Sequence, residues 1–573
     1  MIKKSLIIIV LIFLFLVPAN TQGTKQDKEL KREVTLYNPY KPSLIDVKKK
    51  SYLPDMNDTS KVKVSFRYDI KSRPFSPSYT INPIKSAALL PDPLTKLYKS
   101  FLNIGLGNYV TPLAEISITN ERSNKGAIGF YGRYYSSNGK VQLQNQLRVF
   151  AGLMDNEASL FGKKFFRKNL LESSVDLIQK TRYAYGYSPE VFPYEPEKKD
   201  IKLGYYDIGA KTSFASLNLD STNFSYDFNI FYDYFHNSEY RFQNHTAFTG
   251  TMAKLYEGFY VGSGIEYDRY KLSDSILNKP KYIFSISPFV RKSSEHWSFN
   301  LGLQFLLERN MTSSAKFHLY PDVNFGFNIV PEYIRFFAGL SGKLEKNDPM
   351  RAFSENPFII PDGSLFTLLN TDHSLIVSAG LKGNNGIGGN YLASVSYSLI
   401  NDLLLYSNIV FPDTALRVER GNHFIPLTDE AELLTIHGEM NGVMTDKITF
   451  SAAANYYNYT LSAYKYAWNK PDWDGKIGIK YNLRDKIIAG AELTALGPRK
   501  LMVSESPTGW LTLTQTEIER PSHFNLNLSA EYRYTRILSF WAKFNNISYN
   551  RYYEWAFYPS QMFNFMVGFT YSL

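Results

Sequence analysis

The sequence predicts an all-β fold: a transmembrane antiparallel β-barrel with an even number of strands and no separate plug domain. Three observations predict it. Apolar and polar side chains alternate residue by residue over stretches that reach the roughly 9–11 residues of a tilted membrane strand. The connections between these stretches are alternately short and long. Beyond the leader, no apolar run approaches the ~20 residues that a membrane helix needs.

Composition agrees. The chain has 573 residues, 16% of them aromatic, with 43 Tyr, 41 Phe and no Cys. Mean hydropathy is slightly negative at −0.26 although 44% of residues are hydrophobic, as expected where oily and polar positions interleave along strands. The aromatic content argues against disorder. The lack of Cys excludes a disulfide scaffold and a lipid-modified cysteine.

In chain order, Lys3 and Lys4 precede an apolar run from Leu6 to Val17 and a small, polar exit from Pro18 to Gly23. This is the pattern of a secretory signal peptide, so residues 1–21 are expected to be removed. Residues 22–99 form a basic, Pro-rich pre-barrel segment expected in the periplasm. Of the chain's 64 basic and 53 acidic side chains, 16 basic and 8 acidic lie between Lys25 and Lys99, so nearly all the positive excess precedes the barrel. Pro39, Pro42, Pro54, Pro74, Pro77, Pro83, Pro91 and Pro93 make the segment extended and irregular. One strand-like piece interrupts it, with Val62, Val64, Phe66, Tyr68 and Ile70 on one face. The segment reads as a tether, or as a basic surface for other envelope proteins or lipid headgroups.

Residues 100–573 are expected to form the barrel. Trp297, Phe299, Leu301, Leu303, Phe305 and Leu307 alternate with polar or small positions. So do Phe224, Tyr226, Phe228, Ile230, Tyr232 and Tyr234. At the C-terminus Phe563, Phe565, Val567, Phe569, Tyr571 and Leu573 share one face, the expected membrane-insertion strand. Short turns fall at Glu121–Gly126, Asp220–Asn223, Tyr256–Gly258, Val330–Tyr333, Met444–Lys447, Arg484–Lys486 and Thr535–Leu538, and the Gly383–Gly389 run reads as a further hairpin connection. Long segments at Gly152–Lys202, Glu345–Asp372, Asn401–Glu430 and Gly497–Pro521 separate them. The first strand runs outward near Phe101–Asn108 and the last returns to Leu573, which gives about 20 strands within a range of roughly 14–22. Closure leaves no sheet edge and no unpaired backbone in lipid. Tyr552, Tyr553, Trp555, Phe557 and Tyr558 suit an interfacial aromatic girdle.

The closing stretch, Lys543-Phe544-Asn545-Asn546-Ile547 through Tyr552-Tyr553-Glu554-Trp555, Tyr558-Pro559 and Phe563–Leu573, resembles the last hairpin of TonB-dependent receptor barrels. Gln561-Met562 stand where those barrels commonly have Gly-Arg, and Leu573 where they end in Phe. Gly105-Leu106-Gly107-Asn108-Tyr109, Pro112-Leu113-Ala114-Glu115, Arg122-Ser123 and Ser136-Ser137-Asn138-Gly139-Lys140 resemble a plugless, receptor-like barrel family of Bacteroidota. The resemblance implies an outer-membrane barrel inserted by the outer-membrane assembly machinery and bathed in outer-membrane lipid. Receptors of that kind also carry an N-terminal plug and a short box gripped by the energising protein. The 78 residues from 22 to 99 are too few for that plug, and no such box is evident.

Catalytic and cofactor chemistry finds little support. The eight histidines are not spaced as metal ligands, and no Gly-x-Ser-x-Gly elbow precedes a helix. The Gly383–Gly389 run lacks the Lys-Ser/Thr of a phosphate loop, and Asp472-Trp473-Asp474-Gly475 lacks the later ligands of a calcium loop and reads as a turn. His437 and Glu439 share a strand face, but barrel lumens are rich in ionisable residues anyway. No enzyme, no cofactor and no nucleic-acid partner is expected. Alternation assigns Asp227, Asp233, Glu266, Asp268, Glu308, Arg335, Lys343, Glu531, Arg533 and Lys543 to the lumen. These mixed signs suit either an internal salt-bridge network or a weakly selective channel. The expected function is a receptor- or channel-type barrel of unnamed cargo; the alternative is a non-transporting subunit of an outer-membrane assembly or secretion complex.

Overall fold

The computed structural model describes residues 98–573 apart from 121–122, 124, 145, 188–196, 218–223, 238–241, 273–278, 311–313, 360–367, 385, 387, 411–422 and 506–513. The leader, the basic Pro-rich segment and the strand-like Val62–Ile70 piece lie outside the described residues. Twenty-two antiparallel strands, each paired with its neighbour in chain order, close into a barrel. The first strand, Ser100–Gly107, pairs with the last, Asn564–Ser572, and Gly105 stands opposite Gly568 across that seam. The indole of Trp541, one strand further round, lies over both glycines and donates from Nε1 to Asn103 Oδ1 at 2.7 Å. A side chain at either glycine would collide with the ring, so the close approach requires glycine.

The count exceeds the estimate of about 20 and reaches the top of the expected range. The segment Gly152–Lys202, read as one long connection, contains the strands Leu153–Phe165 and Asn169–Tyr183. Adjacent apolar pairs such as Leu170-Leu171 and Leu177-Ile178 place oily side chains on both faces and blur the period of two. Elsewhere the alternation is resolved cleanly. Ile230, Tyr232, Leu301, Leu303, Phe305, Leu307, Ile477, Ile479 and Val567 are exposed on the outer surface, while their odd or even partners face inward. A closed wall with an apolar exterior leaves every ladder hydrogen bond internal, the condition for spanning a membrane with strands.

The two ends differ. At one end, with Ser100 and Leu573, connections are short. Tyr256 pairs with Phe259 across Glu257 and Gly258, both at positive φ (49° and 79°), the two-residue turn whose twist matches that of the strands. The predicted turns at Val330–Tyr333, Arg484–Lys486 and Thr535–Leu538 also lie at this end. At the other end strands overshoot. Asn390–Val410 and His423–Thr445 run for 21 and 23 residues, about 70 Å at ~3.3 Å per residue, well beyond an apolar band about 25 Å tall. Asn408–Val410 pairs in parallel with Val503–Glu505 of the hairpin Arg499–Glu505/Thr514–Arg520, so the tall strands carry a further hairpin. Asp472 precedes a strand, Trp473–Leu483, rather than forming a turn with Asp474 and Gly475.

Candidate functional site

The long-loop mouth is filled by the chain itself. The connection after Ile334–Glu345 turns inward and forms a short helix, Pro349–Glu355. Asp348 caps it, accepting from the Arg351 backbone N–H at 2.8 Å, and proline at the first helical position costs no hydrogen bond. Ala352, Phe353, Phe358, Ile359 and Leu368 of this connection are buried together with Tyr205, Phe235, Leu404, Tyr406, Phe424, Val503, Trp555 and Tyr558. The cluster thus gathers inward-facing wall residues, the tall strands, the Arg499–Glu505 hairpin and the last connection into one apolar core. Phe358 stacks on Tyr558 with centroids 3.7 Å apart, and the Phe424 backbone N–H donates to Phe358 O at 3.0 Å. Gly186 is required where the Tyr558 ring takes the place of a Cβ. Burial holds the Tyr185 and Tyr558 hydroxyls above the usual tyrosine range.

This placement corrects the reading of the Tyr552–Tyr558 aromatics as a girdle. Trp555 and Tyr558 are only 8% and 1% exposed, packed inside the mouth rather than on the outer rim. Sequence pattern shows that aromatics end a strand, and only the inward fold of the loops decides what they cover.

Beneath the apolar core, a polar network ties the helical connection to the wall. Lys346 donates to Asp268 Oδ2 at 2.6 Å and to Glu266, and Asp268 also meets His245 Nε2 at 2.8 Å. Burial opposes the Lys346 charge, but Asp268 and Glu266 outweigh it and lift its pKa above the ordinary lysine value. The buried Lys281 donates to Asn347 O at 3.2 Å and to Asn370 Oδ1, and Asn370 Nδ2 donates to Glu308 Oε1 at 2.7 Å. Glu308 faces His318 at 3.3 Å, and the other ring nitrogen of His318 lies 3.4 Å from Asp372. Arg351 pairs with Glu345, which meets His373 at 3.0 Å. At the helix end Glu355 accepts from Lys470 at 2.7 Å and Tyr406 at 3.2 Å.

Of the residues assigned to the lumen, the structure brings Glu266, Asp268 and Glu308 into this network. Asp233 is buried nearby at 7% exposure, and its carboxyl meets that of Asp207 on the neighbouring strand. Asp227 accepts from Asn229 at 2.9 Å, outside the network. Arg335 donates to Asn328 at 3.2 Å and to Ser298 towards the short-turn end. Lys343 is exposed beside a register shift between Ser341 and Lys343. Near the seam, Arg533 pairs with Glu531 at 3.3 Å and Lys543 lies over the Trp541 ring at 5.1 Å. Phe565 and Val567 of the last strand are exposed on the outer face, as is Leu573 just beyond it. His437 lies 3.6 Å from Glu439, and its Nδ1 donates to Asn455 Oδ1 at 2.7 Å. Among the described residues no group of three potential metal ligands converges.

Sequence reasoning missed the anchoring side chains Lys281, Lys346, Asn347 and Asn370. One signal was available: Asp348-Pro349 is a helix start inside a segment otherwise read as an irregular connection.

Neither a family model nor a curated protein sequence matches the chain. Solved structures do. The chain resembles the ferric-catecholate import receptor Fiu from E. coli K12 in its closed form, with TM-score 0.59 and 9% identity, covering 83% of this chain and 82% of that one. It resembles the pyoverdine outer membrane receptor FpvA from Pseudomonas aeruginosa PAO1, with TM-score 0.61 and 10% identity over 84% and 79%. It also resembles the FrpB iron transporter from Neisseria meningitidis, with TM-score 0.61 and 11% identity over 84% and 82%. At this identity the likeness is one of fold: a large closed antiparallel barrel.

Proposed function

We propose that the chain is an outer-membrane barrel of the receptor or channel type, which binds or passes a solute whose identity the residues do not name. In this reading the short turns face the periplasm, residues 22–99 lie there, and the long-loop mouth faces the exterior. The outer band meets outer-membrane lipid, the assembly machinery inserts the barrel, and the basic pre-barrel segment offers a surface to other envelope proteins. The ten lumen-assigned residues, Asp227 to Lys543, line or brace the path. The observation that carries the reading is the mouth stopped by the chain's own inward-folded loops: a wall built to enclose a passage is closed at one end by an element anchored through polar contacts. In this reading such an element takes the role that a separate plug would have. The fold-level likeness to import receptors supports transport over a non-transporting assembly role and gives no support to catalysis.

The test is conductance. In planar bilayers the intact protein is expected to be closed or nearly so, while replacing residues 347–369 by a short Gly/Ser linker gives discrete channels of much larger conductance. Unchanged, closed traces from the linker variant, with heat-modifiable migration showing a folded barrel, would sink the reading.

A further inference from the structure

A half-open pocket lies on the inner wall at the short-turn end, away from the capped mouth. It is a cavity of about 620 Å³ lined by Tyr260, Arg291, Asn300, Arg335, Phe337 and Lys382, among others, a size in the range of small-molecule pockets, about 300–1,000 Å³. Its cations come from three strands, Lys281–Ser293, Ile334–Glu345 and Thr371–Asn384. The two intervening strands supply Ser298, Asn300 and Asn324 to the same lining. The register holds them in place: Arg291 stands opposite Asn300, Asn300 opposite Asn324, and Arg335 opposite Lys382.

This cavity lacks counter-charge. Several other inward-facing cations are matched: Arg133 with Glu115, Arg182 with Asp155, Lys346 with Glu266 and Asp268, Lys476 with Glu492. Among the described residues no carboxylate lies within ion-pair distance of Arg291, Arg335 or Lys382. Arg291 donates to Asn300 Oδ1 at 2.8 Å, Arg335 to Asn328 Oδ1 and Ser298 Oγ, and Lys382 lies 5.6 Å from the centre of the Phe337 ring. Arg291 is likewise packed over Phe289 at 4.2 Å. These partners are neutral, so they orient the cations and leave their charge uncompensated. The nearest acid in the chain of contacts, Asp322, is engaged by Asn300 at 2.7 Å and Asn324 at 2.8 Å. Three pre-positioned cations with aromatic walls form a receptor for an anion, and guanidinium forks favour the planar or tetrahedral oxygens of carboxylate and phosphate.

We infer that this cavity binds a small solute carrying carboxylate or phosphate groups, and that it is the last station of the passage before the short-turn opening. The inference rests on the receptor or channel reading for the word passage, but the binding itself does not. Calorimetric titration of the detergent-solubilised, full-length barrel with citrate and with pyrophosphate tests it and separates the two oxyanion classes. Saturable binding of at least one probe is expected, weakening as salt rises. In the pair Arg335→Gln/Lys382→Gln that affinity falls by roughly tenfold or more. Lys382→Gln alone, which removes no hydrogen bond, gives a smaller loss and covers the case in which the pair fails to fold. Lys480→Gln, on another strand, leaves binding unchanged. Absence of binding by the unaltered protein overturns the inference, as does equal affinity in the cavity variants or an equal loss in the Lys480→Gln control. If the linker variant lacking residues 347–369 stays closed while citrate or pyrophosphate still binds, the transport reading falls and this site stands.

Discussion

The two ends of the barrel are built from one alternating wall yet solve opposite problems. At the short-turn end, tight connections such as Glu257-Gly258 end the strands promptly, and inward side chains face a cavity lined by polar and cationic groups. At the long-loop end the strands overshoot, and their inward faces join four connections in an apolar core about the helix Pro349–Glu355. The same residue types therefore mean different things at the two ends. Aromatics on the outer surface meet the membrane, whereas Trp555 and Tyr558 exclude water from the mouth. The wall draws its stability from a complete ladder, while the cap depends on packing and a few charged contacts, so the cap is the part that can open without unfolding the rest.

Mutations should separate these two sources of stability. The largest effect is expected in the cap: Phe353→Ala with Phe358→Ala removes two buried rings, each costing about 3–5 kcal/mol. Limited proteolysis should then cut within the helical connection while the barrel keeps its heat-modifiable migration; loss of the barrel itself would show that cap and wall are one cooperative unit. Next comes the outer band. Leu303, 45% exposed in mid-strand, replaced by Arg should destabilise the wall by about 2–4 kcal/mol in a bilayer. Guanidinium unfolding from lipid vesicles reads this, and an unchanged midpoint would place Leu303 outside the membrane. The smallest effect is expected at the polar anchor. Lys346→Met leaves Asp268 with His245 alone, and since Lys346 is about a quarter exposed the cost is about 2 kcal/mol. Amide exchange should rise along Pro349–Glu355 and stay unchanged in the strands; uniform protection would mean that the apolar core alone holds the cap.

Much of the wall was legible because period-two alternation is a local signal. Tyr256–Gly258 and Arg484–Lys486 announce turns through residues that accept positive φ, and Trp297–Leu307 announces a strand through side-chain order alone. Where both faces carry oily residues, as at Leu170-Leu171, that signal fades and a hairpin is absorbed into a connection. The cap was illegible for a different reason. Phe358 meeting Tyr558, or Lys346 meeting Asp268, depends on contacts between segments far apart in the chain. Asp348-Pro349 marks a helix start but not which way the helix turns. The candidate anion site lies between these cases: alternation assigned Arg335 to the interior, but only strand register sets it beside Lys382 and apart from any carboxylate.

The closing seam has a consequence for how such a wall forms. Trp541 sits on the strand before the last, yet its ring crosses the bare backbone of Gly568 and Gly105 and its nitrogen reaches Asn103. That geometry exists only after the first and final strands have met. Its indole emission is therefore a built-in clock for the ring-forming step, red-shifted while the ends of the sheet are apart and blue-shifted once they join.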